Sequence, residues 1–182
     1  MPYTIAVSNE KGGVAKTTST LSLGSALAEL NHRVLLVDLD PQANLSLALG
    51  LETGEAELTS ANVLIENVPI KPAIRKTDVA NLDLVPSNSR IENAEQYLPM
   101  RSNYLATLRN SILAGSLAYD YILMDCPPAL GAITLNALSA ADLLIIPTQA
   151  EYFSAYALRN MMGSIRRIRQ ESNPNLAYRI LV

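Results

Sequence analysis

Residues 8–20 read "SNEKGGVAKTTST". An apolar, β-branched run, "YTIAVS" (3–8), precedes them, and a helix-like pattern with Leu23, Leu27 and Leu30 at i, i+4 and i+7 follows over 17–30. Gly12 and Gly13 permit backbone conformations closed to other residues, so successive N–H groups can converge on an anion. A helix beginning near Lys16 adds unpaired N–H groups and the positive end of its dipole. Strand, glycine turn and helix in that order are the context of a phosphate-binding loop. Lys16 can then reach the β- and γ-phosphates, the Thr17 hydroxyl suits Mg²⁺, and Thr18 can hold the α-phosphate. The spelling nevertheless departs from G-x-x-x-x-G-K-[ST]: Glu10 and Ala15 occupy both glycine positions, and Lys11 is an extra cation. The alternative is a glycine turn that only caps a helix.

Outward from the loop, apolar runs alternate with helical patterns. "RVLLVD" (33–38), "LDLVP" (82–86), "YILMD" (121–125) and "LLIIPT" (143–148) read as strands whose nearly continuous apolar character implies helices on both faces. Residues 102–117, 131–140 and 153–171 read as helices, with Pro99 and Gly115 as punctuation. "TSANVLIEN" suggests a short helix and "VPIKPAIRKT" a connecting loop. The expected fold is α/β, a doubly wound, mostly parallel sheet flanked by helices, with right-handed crossovers. "AYRILV" (177–182) reads as a strand stopping in mid-run, so the chain is expected to be truncated at its C-terminus.

Two further stretches carry carboxylates. "VLLVDLDPQANLS" (34–46) brings Asp38 and Asp40 off a strand end, where open α/β sheets bind ligands. Asp40 could orient an attacking water and Asp38 support a metal shell; a simple Asp-Pro turn at Asp40–Pro41 is the plainer reading. "YDYILMDCPPALG" (119–131) ends a buried strand in Asp125, a carboxylate placed to hold Mg²⁺, followed by a stiff turn at Pro127, Pro128 and Gly131 that could act as a switch.

Together these stretches resemble the deviant Walker A ATPases, and most closely the ParA/Soj partition ATPases of the MinD/ParA group. The resemblance rests on "KGGVAKTT" (11–18), "VLLVDLDPQAN" (34–44), "YILMDCPP" (121–128) and "NALSAADLLIIPTQAEYFSAYAL" (136–158), in the family's order. It implies a single P-loop ATPase domain over 1–182, lacking its last strands and helices. It also implies a nucleotide cradle of Lys11, Gly12, Gly13, Val14, Ala15, Lys16, Thr17 and Thr18. Lys11 would reach across a homodimer to the partner's ATP, as an arginine finger does in trans. Asp40 matches the water-positioning aspartate and Asp125 the Walker B residue; Thr17, Asp38 and Asp125 form the metal set, and Asp40, Pro41, Pro127 and Pro128 the switch. The family usually has glycine where Ala15 stands, so its methyl group is expected to crowd the phosphate or alter the turn.

The implied activity is slow, partner-stimulated ATP hydrolysis that gates non-specific DNA binding and positions plasmid, chromosome or other cargo. A ParB-like protein would stimulate it, in a nucleoid-associated, cytoplasmic setting. A net charge of −3 provides no global attraction to nucleic acid, so DNA must meet a local patch, for which Arg159, Arg166, Arg167 and Arg169 are candidates beside an ordinary solvated helix face. Tyr152, Phe153 and Tyr156 are expected to pack or to line the dimer. A MinD-like membrane switch needs a basic amphipathic helix that is not visible, and no run approaches the ~18 apolar residues of a membrane span. A metabolic ATP-dependent ligase of the same fold is the third reading. The single cysteine, Cys126, excludes an intramolecular disulfide and the two-cysteine clusters of iron–sulfur reductases.

Overall fold

The computed structural model describes residues 1–54, 57–150 and 152–182; within the last helix the side chains of residues 152–155 and 157 lie outside the described part, and with them the expectations for Tyr152 and Phe153. Among the described residues a seven-stranded sheet runs in the order β3-β4-β2-β5-β1-β6-β7. Its strands are β1 (Tyr3–Val7), β2 (Val34–Asp38), β3 (Arg75–Lys76), β4 (Leu82–Val85), β5 (Tyr121–Asp125), β6 (Leu143–Pro147) and β7 (Ala177–Leu181). All pairs are parallel except β3 with β4. The helices are α1 (Lys16–Glu29), α2 (Asn44–Ala48), α3 (Ser60–Ile65), α4 (Ala94–Tyr97), α5 (Thr107–Ala114), α6 (Ala132–Ala140) and α7 (Tyr152–Glu171).

Alternation along the strands builds two cores. Leu35, Val37, Ile122 and Met124 face one, shared with Ile133, Ile165 and Ile168 from α6 and α7. Val34, Leu36, Leu82, Leu84 and Leu123 face the other, covered by α1. Helices on both faces explain why these strands read as unbroken apolar runs.

The covering face of α1 matches the expected one only in part. Its buried residues are Lys16, Thr20, Gly24 and Ala28, while Leu23 and Leu27 are only half-buried and Leu30, beyond the last helical turn, is 70% exposed. Small residues let the helix lie close on β2: a Cβ at Gly24 would stand 2.7 Å from a Leu36 methyl. Gly24→Val is therefore expected to destabilise the fold by about 1–3 kcal/mol, measured by chemical denaturation.

Other departures are local. The helix expected over 102–117 is α5 alone, because Asn103 adopts a left-handed conformation and a 3₁₀ turn, Tyr104–Ala106, intervenes. The expected loop at 68–77 contains the edge strand β3, too short to show a period. The short helix expected near 59–67 is α3, held by a capping box in which Thr59 and Asn62 exchange hydrogen bonds. No helix among the described residues is long and apolar enough to cross a membrane.

Candidate nucleotide site

Parallel pairing puts the chemistry in one row. Val7 pairs with Asp125 and Asp125 with Asp38, so the segments leaving β1, β5 and β2 emerge side by side at the C-terminal edge of the sheet. The loop after β1 uses Gly13 at φ 73° and Ala15 at φ 62° before α1 begins at Lys16. Ala15 thus takes the left-handed conformation itself. It is exposed, and the expected consequence of its methyl group is backbone strain within this turn. Ala15→Gly is expected to raise stability by roughly 0.5–1 kcal/mol, the relief of a left-handed alanine less the greater freedom of glycine when unfolded. Thermal and denaturant melts check it; a drop in stability would contradict it.

Lys16 is buried, and its ammonium donates to the Lys11 carbonyl at 3.2 Å. Burial lowers its pKa, opposed by the nearby Asp125 and Asp40 carboxylates. The Thr17 hydroxyl donates to Asp125 at 2.6 Å, and the Thr20 hydroxyl approaches the other carboxylate oxygen at 3.4 Å. A hydroxyl and a carboxylate adjoining at the start of a helix form an all-oxygen donor pair that fits Mg²⁺. Thr18, one residue further along α1, is exposed.

Asp38 is turned toward its own segment. It accepts hydrogen bonds from the Ser46 N–H (2.9 Å), the Ser46 hydroxyl (2.7 Å) and the Asp40 N–H (3.1 Å). It therefore braces the loop that carries Asp40 and ties it to α2. Asp40, 7% exposed, accepts from the Gln42 N–H at 2.9 Å. The turn after β5 has Pro127 buried and Pro128 exposed. Cys126 is fully buried and its thiol pKa is pushed up by burial, an inert packing group.

Burial also pushes the Asp125 carboxyl up to about 7 and Asp38 up to about 6, against the opposing hydrogen bonds from Thr17 and Ser46. Each carboxyl holds its proton more firmly folded than unfolded. The contribution of these two carboxyls to stability is thus fully present below the unfolded pKa and is lost as pH rises through about 4 to 7. The nucleotide-free chain should melt at a higher temperature near about pH 5.5 than near about pH 7.5. Asp125→Asn should raise the melting temperature at the higher pH and shrink that difference. A wild-type chain that melts no lower near about pH 7.5 than near about pH 5.5, with no effect of Asp125→Asn, would contradict it.

The chain matches the AAA domain family over residues 3–178. It is 38% identical over 172 residues to the sporulation initiation inhibitor protein Soj of Bacillus subtilis, covering 94% of this chain and 68% of that protein. It is also 38% identical over 174 residues to the chromosome partitioning protein ParA of Caulobacter vibrioides, covering 94% and 65%. The chain belongs to the ParA/Soj group of P-loop ATPases. It spans about two thirds of the length of these ParA-family relatives. Among solved structures, cobyrinic acid a,c-diamide synthase from Mycobacterium smegmatis with bound ADP and magnesium superposes with a TM-score of 0.92 at 38% identity, covering 98% of this chain and 72% of that one. A plasmid partition protein from Borrelia burgdorferi bound to AMPPNP gives 0.86 at 29%, covering 100% and 74%.

Within this ParA-family fold the four arginines of α7 have different surroundings. Arg159 and Arg166 are exposed beside a cavity of about 700 Å³ shared with Glu10, Leu130 and Arg167. Arg167 pairs with Glu171 at 3.0 Å. Arg169 donates twice to the Leu176 carbonyl and lies over the Tyr178 ring, so it holds the turn into β7. Tyr156 is exposed. Sequence reasoning passed over Asn9, Thr20, Ser46, Gln149 and Asn160. The first three are buried and the last two contact the loop across long sequence separations; all but Asn160 lie inside the quoted stretches, whose residue types assign them no chemistry.

Proposed function

We propose that the chain is the nucleotide-binding part of a dimerising, ATP- and Mg²⁺-dependent ATPase that positions DNA or other cargo through ATP-gated, non-specific DNA binding. The observation that carries this reading is the glycine loop between Lys11 and Lys16, with Lys16 close to Asp125 and Asp40 and Thr17 hydrogen-bonded to Asp125 at the ends of adjacent parallel strands. The N–H groups of Gly12 to Thr18 and the Lys16 ammonium bind the phosphates, with Val14 buried beneath them. Mg²⁺, held by Thr17 and Asp125, would neutralise phosphate charge. Asp40 orients water, Asp38 braces Asp40, and Pro41, Pro127 and Pro128 stiffen the segments expected to move. Lys11 supplies charge to the partner subunit's nucleotide. A ParB-like protein would stimulate turnover, and the protein would work on the nucleoid in the cytoplasm. Arg159, Arg166, Arg167 and Arg169 are the candidate phosphate contacts for DNA.

Sedimentation and DNA retention with Mg–ATP, Mg–ADP and no nucleotide test this reading. ATP alone should give the dimer, and DNA retention should weaken steeply with salt. The resemblance to the a,c-diamide synthase supports a second reading, an amide-forming ligase. ATP turnover that requires a small carboxylic acid and ignores DNA would favour it. Flotation with anionic vesicles in ATP, without DNA retention, would favour a MinD-like switch instead.

A further inference from the structure

The two halves of the phosphate loop are fastened to different parts of the chain. The trailing half, through Thr17, faces Asp125. The leading half is tied to β6 and α7 by three consecutive side chains. Asn9 donates its amide to the Pro147 carbonyl at 2.7 Å and accepts the Lys11 N–H at 3.0 Å. The Glu10 carboxylate accepts from the Asn160 amide at 2.7 Å. The Lys11 ammonium donates to the Gln149 side-chain carbonyl at 2.9 Å.

Binding phosphate needs only the loop's N–H groups and Lys16, so these three ties serve something else. A lysine carries its charge on a flexible four-carbon stem, and aiming that charge takes a partner for the head and a fixed backbone beneath it. Asn9 and Glu10 hold the backbone immediately before Lys11, and Gln149 accepts a hydrogen bond from the ammonium. We propose that Gln149 and Asn160 are positioning residues for Lys11, Gln149 by orienting its ammonium and Asn160 by anchoring the preceding residue to α7. The inference rests on the reading that Lys11 serves the reaction.

The test compares Lys11→Ala, Gln149→Ala, Gln149→Glu, Asn160→Ala and the Lys11→Ala/Gln149→Ala double variant in ATP turnover. Gln149→Ala and Asn160→Ala should each lower kcat about tenfold, since a misaimed group loses rate rather than ground-state binding. KM for ATP should stay within about twofold, because Lys16, Thr17 and Asp125 are untouched. Gln149→Glu keeps an acceptor and should retain turnover, and the double variant should be no slower than Lys11→Ala alone. Gln149 is exposed, so its replacement leaves folding intact. If Lys11→Ala is impaired while Gln149→Ala and Asn160→Ala turn over normally, or if the double variant's losses multiply, the positioning roles are wrong. If Lys11→Ala itself turns over normally, the underlying reading of Lys11 fails.

Discussion

Lys16→Ala is expected to weaken nucleotide binding more than a hundredfold. Lys16 is the buried cation at the start of α1, with Asp125 and Asp40 close enough to oppose the lowering of its pKa. Its removal would delete a charge-assisted bond to phosphate and leave several carboxylates facing a polyanion. Losing one partner of such a buried charged contact costs about 3–5 kcal/mol, enough for roughly two to three and a half decades in affinity. Titration with a fluorescent ATP analogue in Mg²⁺ reads this directly. An affinity within a few-fold of wild type would mean that phosphates do not sit at this loop.

Asp40→Ala is expected to separate binding from hydrolysis. The Asp40 side chain accepts only the Gln42 N–H among its described contacts, whereas the link from this loop to Asp38 runs through the Asp40 backbone. Alanine therefore removes the carboxylate and keeps the brace. Turnover should fall by about 10²- to 10⁴-fold, the usual contribution of a positioned acid–base group. ATP affinity should change little, and the ATP-bound dimer should accumulate. A variant that separates with ATP as readily as with ADP would refute the role.

The fold was legible because its signal is continuous. "VLLVD" and "YILMD" are buried on both faces, and they became the central strands β2 and β5. The phosphate loop was legible because lysine, glycine and threonine occur at short spacing between a strand and a helix. The methyl group of Ala15 reads as an obstacle to the phosphate or to the turn; the structure adds that this alanine is left-handed, which the spelling of the loop does not reveal. The face of α1 is legible only in part: Leu23 and Leu27 pack against the core, but Gly24, which lies against Leu36, and Ala28 carry almost no hydrophobic signal. Asp38 shows the limit for site residues: its spacing suggests a metal ligand, yet only the fold shows Ser46 and Asp40 on both its oxygens. Gln149 and Asn160 were illegible for the same reason, since they meet Lys11 and Glu10 from 138 and 150 residues away.

The central claim is that each nucleotide is served by residues of two subunits, Asp40 from its own chain and Lys11 from the partner. Mixing Lys11→Ala with Asp40→Ala tests it most directly. Each variant alone should be nearly inactive. A mixed dimer, however, contains one complete site: the loop and Asp40 of the Lys11→Ala subunit, reached by the Lys11 of the Asp40→Ala subunit. An equimolar mixture should therefore recover about a quarter of wild-type ATP turnover, because half the two-fold dimers are mixed and each has one working site of two. A mixture no more active than its components would place Lys11 in its own subunit's site and contradict the account.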